Sequence, residues 1–116
     1  MISKELLSEA LGLNIESIKG IQKNKNSITI WKGKQNTYPY ALHSGSDINI
    51  HELAHKCKEW ALTEDYVVVS RSRYKLEGYD CDIYTKDDHC IDDFESDTEP
   101  EAIFKACQWI LENKID

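Results

Sequence analysis

Two histidines four residues apart, with a glutamate beside the first, make His51-Glu52-Leu53-Ala54-His55 the stretch of this chain whose residue types could do chemistry. On a helix both imidazoles reach the same side and can share one zinc ion, while the glutamate acts as general base on the metal-bound water. That would make a minimal zinc-dependent hydrolase with His51 and His55 as ligands and Glu52 as base. A catalytic zinc also takes a third protein ligand. The extension H-E-x-x-H-x-x-G-x-x-H is absent, because Lys56, Cys57, Lys58, Glu59, Trp60 and Ala61 follow His55. A glutamate from a downstream helix is the other common solution, and Glu101 and Glu95 are the candidates for it. Lys56 places a cation beside the second ligand, where it repels a metal.

The same stretch has a second explanation. At about 100° per residue, Ile50, Leu53, Ala54, Cys57, Trp60 and Ala61 share one side of a helix spanning Asn49 to Leu62, and Glu64 falls beside them. His51 and His55 lie on its flank, and Glu52 lies almost opposite the apolar stripe. Asn49 with Glu52 forms a variant of the capping box, which gives Glu52 a structural role. The apolar face therefore accounts for the helix without metal, so no cofactor and no catalytic residue is favoured. Zinc and the HExxH hydrolase remain the alternative.

At 116 residues the chain makes one domain with a single modest core. A net charge of −7 suits a soluble protein that repels nucleic acid and anionic lipid. No apolar run reaches membrane-spanning length, and the N-terminus lacks the basic-then-apolar pattern of a signal peptide, so the expected location is cytoplasmic. The four cysteines, at 57, 81, 90 and 107, have no C-x-x-C spacing. They read as reduced thiols, with Cys57 and Cys107 on the core faces of helices.

The elements that position these residues follow from period and punctuation. Ser3 caps a short helix to Leu11, and Gly12 ends it. Ile18–Lys23 and Ser27–Lys32 then form a hairpin around Asn24-Lys25-Asn26. Gly33 to Asp47 is rich in turn residues, with Thr37–Leu42 a short edge strand at Pro39 and His43 without an obvious partner. After the central helix, Tyr66–Arg73 contains Val67-Val68-Val69, which suggests an interior strand buried on both faces. A turn at Lys75-Leu76-Glu77-Gly78 leads to Tyr79–Thr85. In that strand Tyr79, Cys81 and Ile83 face inward and Asp80, Asp82 and Tyr84 face water, with Arg71 and Arg73 pairing across to Asp80 and Asp82.

Between residues 87 and 101 the chain carries Asp87, Asp88, Asp92, Asp93, Glu95, Asp97, Glu99 and Glu101 with no lysine or arginine. The spacing is not that of an EF-hand loop, which weighs against calcium. His89-Cys90 joining His51 and His55 in a structural zinc site lacks ligand spacing. The stretch reads as a solvated loop leading into a helix whose N-terminus welcomes carboxylates, or as a surface that docks a basic partner or imitates DNA phosphates. Thr98-Glu99-Pro100-Glu101 caps the last helix, whose apolar face is Ala102, Ile103, Ala106, Cys107, Ile110 and Leu111. Phe104 and Trp109 fall off the centre of that face, where they either widen the core or contribute to a contact surface.

From Asn49 onward the order is amphipathic helix, hairpin, acidic segment, then a helix opening Thr98-Glu99-Pro100-Glu101-Ala102-Ile103-Phe104-Lys105-Ala106. This resembles the small phage and prophage proteins of the "ABA sandwich" type, whose chains end in a similar threonine-proline-alanine-isoleucine helix. The resemblance implies a fold and a mobile-element setting. It carries over no activity and no catalytic residues. The expected fold is α+β, an antiparallel sheet of four to five strands covered by helices in the order α-β-β-(β)-α-β-β-α. The expected function is a non-catalytic protein that binds an unidentified protein with a basic surface, as an accessory, inhibitor or immunity-like protein. Asp87, Asp88, Asp92, Asp93, Glu95 and Asp97 would form the contact surface, with Phe104 and Trp109 as anchors. A self-associating domain would instead show as a homodimer that buries the aromatic residues of the last helix.

Overall fold

The computed structural model describes residues 2–32, 44–73 and 76–114. Helix α1 (Lys4–Leu11) leads through a 3-10 turn at Ile15–Ser17 into strands β1 (Ile18–Lys23), β2 (Ser27–Lys32) and β3 (Ser44–Asn49). Helix α2 (Ile50–Thr63), strands β4 (Tyr66–Ser72), β5 (Tyr79–Thr85) and β6 (Cys90–Ser96), and helix α3 (Glu99–Asn113) follow. The class is α+β, as expected. The strands, however, form two antiparallel sheets of three, ordered β1-β2-β3 and β4-β5-β6, rather than one sheet of four to five. Each sheet is a run of sequence neighbours, so α2 separates two locally closed meanders.

Local chemistry explains the boundaries. The Ser3 Oγ accepts from the Leu6 amide, and Gly12 ends α1 in the left-handed region at φ 68°. Asn49 Oδ1 accepts from the amides of His51 and Glu52, and Thr98 Oγ1 from that of Glu101. The β1–β2 turn closes with the Asn24 amide donating to the Ser27 carbonyl at 2.9 Å. The Asn26 carbonyl then accepts from the Ile50 amide at 3.0 Å, which ties the start of α2 to that turn.

Two expectations about strands are corrected. The acidic segment is not a solvated loop, because Cys90–Ser96 pairs with β5 over its length. Val67-Val68-Val69 lies in an edge strand, not an interior one: Val68 is 6% exposed, whereas Val67 and Val69 are 37% and 39% exposed. The third strand of the first sheet runs through Ser44–Asn49; the expected strand at Thr37–Leu42 and His43 lie outside the described residues.

Helices α2 and α3 pack side by side, and α3 lies across all three strands of the second sheet. Their stripes are the ones the periodicity picks out: Ile50, Leu53, Ala54, Cys57, Trp60 and Ala61 on α2, and Ala102, Ile103, Ala106, Cys107 and Ile110 on α3 are all buried. Phe104 is also buried and widens this core at 3% exposure. Helix α1 rests on α2 and adds Leu6 and Leu7. Lys114 Nζ latches the end of the fold, 2.7 Å from Glu9 and 3.6 Å from Glu64.

The β4–β5 connection depends on Gly78, at φ 97°. A Cβ there would come within 2.7 Å of the Ser96 carbonyl oxygen, and the Arg73 amide donates to the Gly78 carbonyl at 3.1 Å. Both the positive φ and the clash with backbone oppose any side chain. Gly78→Ala is expected to lower stability by roughly 2 kcal/mol or more, read as a lower midpoint in urea unfolding.

Candidate functional site

The His51-Glu52-Leu53-Ala54-His55 stretch forms the first turns of α2, with His51, Glu52 and His55 exposed and Leu53 and Ala54 buried. His51 and His55 border a shallow recess of about 150 Å³, shared with Ala54, Lys58, Glu99 and Ile103. The Lys58 ammonium reaches into the same corner and donates to Ser70 Oγ at 2.8 Å, and Ser70 donates to the Glu99 carboxylate at 2.9 Å. The Glu99 carboxylate is thus held by a hydroxyl with a cation at its side. The other carboxylate near the histidines, Glu59, lies 3.7 Å from His55 Nε2 one turn further along the exposed side of α2. The two glutamates expected to supply a third ligand are engaged elsewhere. Glu101 pairs with Lys23 at 3.1 Å, and Glu95 lies 3.5 Å from Arg73. Among the described residues no three His, Cys, Asp or Glu side chains come together as a metal would require. The donor set does not fit a catalytic zinc.

A different constellation stands on the outer face of the second sheet. Strand register places Val67, Val69 and Arg71 of β4, Asp80, Asp82 and Tyr84 of β5, and Asp93 and Glu95 of β6 on one side. The opposite side carries Val68, Cys81, Ile83 and Phe94 under the helices. On the outer side two carboxylate pairs stand directly opposite each other, Asp82 against Asp93 and Asp80 against Glu95. Like charges in this position destabilise a sheet.

Two arginines offset part of that repulsion. Arg71 Nη2 lies 3.1 Å from Asp82 Oδ2, and Arg73 lies 3.4 Å from Asp80 and 3.5 Å from Glu95. These are the cross-hairpin pairs that the sequence pattern anticipates. Asp82 is the unusual member, because its side chain is only 8% exposed although it sits on the open face. Tyr84 donates its hydroxyl to Asp82 at 3.4 Å, and the adjacent Asp82 charge pushes the Tyr84 phenol above its ordinary value. Asp93 has no arginine of its own in this set.

The residues expected to form one acidic contact surface are dispersed by the fold. Asp93 and Glu95 reach the outer face. Asp92 pairs with the buried Ile83 and so belongs to the helix-facing side, while Asp87 and Asp88 occupy the β5–β6 turn and Asp97 precedes α3. Phe104 belongs to the core, whereas Trp109 is half-buried, packing edge-on against Tyr66 with ring centroids 6.4 Å apart. Phe94, Phe104 and Trp109 line an apolar recess of about 380 Å³. Sequence reasoning placed Asp80 and Asp82 only as water-facing partners of Arg71 and Arg73 across the hairpin. Their signal was the alternation Asp80-x-Asp82, which acquires meaning once β6 is known to be a strand.

Three of the four thiols, Cys57, Cys81 and Cys107, are buried where α2, α3 and β5 meet, and the Cys107 thiol points to the Cys57 carbonyl at 3.5 Å. Burial pushes the Cys81 thiol up to about 12, and a hydrogen bond that the Cys107 thiol donates to Cys57, together with burial, raises that of Cys107. Such thiols are inert at neutral pH. One equivalent of a thiol reagent is expected to react with the folded protein, at Cys90, and four after denaturation. Because these folded-state values lie above the ordinary thiol value of 9.0, the buried thiols favour folding fully below that pH. Stability is expected to fall as pH rises from 9.0 toward about 12, read as the urea midpoint against pH.

No helix of the described residues is long and apolar enough to cross a membrane. The chain matches no family model, and neither the curated proteins nor the solved structures hold a chain that it matches.

Proposed function

We propose that this chain is a non-catalytic protein-binding domain whose contact surface is the outer face of β4, β5 and β6, and that its partner presents a basic surface. The observation that carries this reading is the direct opposition of Asp82 with Asp93 and of Asp80 with Glu95. Each such pair costs a sheet some tenths of a kcal/mol up to about 1, which Arg71 and Arg73 offset only in part within the isolated domain. A lysine or arginine from another protein would turn that cost into binding energy, and the charge pattern would steer its approach. Val67, Val69 and Ile91 border the carboxylates and are exposed, so an apolar rim is available beside the charged centre. The net charge of −7 favours the same class of partner and disfavours nucleic acid. The resemblance to small phage and prophage proteins is consistent with an accessory, inhibitor or immunity-like role in the cytoplasm.

Two measurements test this. Asp93→Asn relieves a repulsion without removing a salt bridge named above, and is expected to raise unfolding stability by up to about 1 kcal/mol while weakening partner binding. In parallel, immobilised wild type and Asp93→Lys are exposed to an extract from the native host at low and at high salt. A basic protein retained by the wild type at low salt, released by high salt and absent from the variant is the expected result; identical retained sets would sink the proposal. The hydrolase alternative is addressed by native mass spectrometry with added zinc. Wild type and His51→Ala/His55→Ala are each expected to give the mass of the metal-free chain, and one zinc held by the wild type alone would reverse the assignment.

A further inference from the structure

Edge strands expose unpaired backbone groups, and proteins usually blunt them with charges, bulges, glycine or proline, or a covering side chain. Three of the four edges here are treated in this way. Strand β1 has a register shift between Ile18 and Gly20 and carries Lys19 and Lys23. Strand β3 is Ser-Gly-Ser-Asp-Ile-Asn, poor in strand-forming residues. Strand β6 carries Asp92, Asp93 and Glu95 beside a register shift, and Lys105 donates to the Glu95 carbonyl at 2.8 Å.

The fourth edge differs. Strand β4, Tyr-Val-Val-Val-Ser-Arg-Ser, is seven residues long, pairs with β5 without a register shift, and contains neither proline nor glycine. Among the described residues its other side pairs with no strand, and no backbone hydrogen bond from Tyr66 to Ser72 leaves the β4–β5 ladder. Val67 and Val69, 37% and 39% exposed, stand on the outer face next to this edge. Leu62, 58% exposed, lies on the flank of α2 that also carries Lys58, the residue that reaches Ser70 of β4.

We infer that the β4 edge is the interface of a homodimer, in which β4 pairs antiparallel with β4 of a second copy and joins the two three-stranded sheets into one of six. Charge selects a second copy as the occupant. The chain carries −7 overall, so two copies repel unless they meet where the acidic residues are not. Along α2 and β4 the charges come close to balancing, with Lys56, Lys58 and Arg71 against Glu52, Glu59 and, at the junction, Glu64 and Asp65. The opposite edge, β6, is the acidic one.

Register adds self-complementarity. A two-fold axis at Val68 sets Val67 opposite the second copy's Val69 and the reverse, which merges four exposed valines into one apolar patch. The same register brings Arg71 of each copy to the level of Asp65 of the other. This interface takes in Val67 and Val69, the apolar rim of the face proposed above, but none of its carboxylates. Asp93→Asn, which weakens partner binding, is expected to leave the dimer intact and so keeps the two readings distinguishable.

Light scattering on size-exclusion fractions tests the state directly. The wild type is expected to run at twice the 13.4 kDa of the chain at high micromolar concentration and to shift toward the monomer on dilution. Val67→Lys/Val69→Lys, at two exposed positions, is expected to keep the wild-type circular dichroism and to raise the dimer dissociation constant at least about tenfold. Ile91→Lys on the opposite edge is expected to leave the dimer intact.

Amide hydrogen exchange on the wild type provides a second readout that needs no variant. Protection of the 66–72 amides should rise with protein concentration. A monomer at every concentration overturns the proposal. So does a dimer lost with Ile91→Lys but kept with the valine pair, or β4 protection that is independent of concentration.

Discussion

The packing of α2 against α3 is the constraint on which the rest of the structure depends. Both helices bury narrow residues, Ala54, Cys57 and Ala61 on one and Ala102, Ala106 and Cys107 on the other, all at 3% exposure or less, and the Cys107 thiol reaches the Cys57 carbonyl across the contact. Small side chains let the two backbones approach, and Leu53, Ile103 and Ile110 fill the space between the pair and its neighbours. With both stripes committed inward, the orientation of α2 is no longer free. His51, Glu52 and His55 must then stand on its exposed side.

The same packing gives the second sheet its asymmetry. Helices cover one side, where Val68, Cys81 and Ile83 lie buried. The other side carries mostly charged residues, with Val67 and Val69 along its β4 border. Asp82 shows the tension within that surface most clearly, with a carboxylate largely removed from water, an arginine at 3.1 Å, and another carboxylate directly across the ladder. Surface ion pairs contribute little on their own, so the arginines moderate the repulsion more than they stabilise the fold. That residual repulsion is the feature on which the proposed partner binding rests.

Local features were legible because they rest on near neighbours in the chain. The first hairpin spans Ile18–Lys23 and Ser27–Lys32 in the structure as in the sequence reading, and the caps at Ser3, Asn49 and Thr98 each accept the expected amides. The acidic strand escaped detection for a physical reason. Aspartate and glutamate disfavour strands, and the alternation of Asp92, Phe94 and Ser96 with Asp93 and Glu95 has only one strongly apolar member to mark its inner side. Pairing with β5 supplies what propensity does not. Val67-Val68-Val69 misled in the opposite direction, because three β-branched residues fit an edge as well as an interior when only Val68 is covered.

The amino-acid sequence by itself determined the α+β class, the position of each helix, the stripe each helix buries, and the wet placement of the histidine motif. These follow from a 3.6-residue period and from caps that act within one turn. Tertiary structure alone decided that the six strands of the described residues divide into two sheets, that β4 is an edge among them, and that Asp80 and Asp82 meet Glu95 and Asp93. Those outcomes depend on which strands find each other across the chain, and the hydrogen-bonding capacity of a backbone is the same for every partner until packing chooses one.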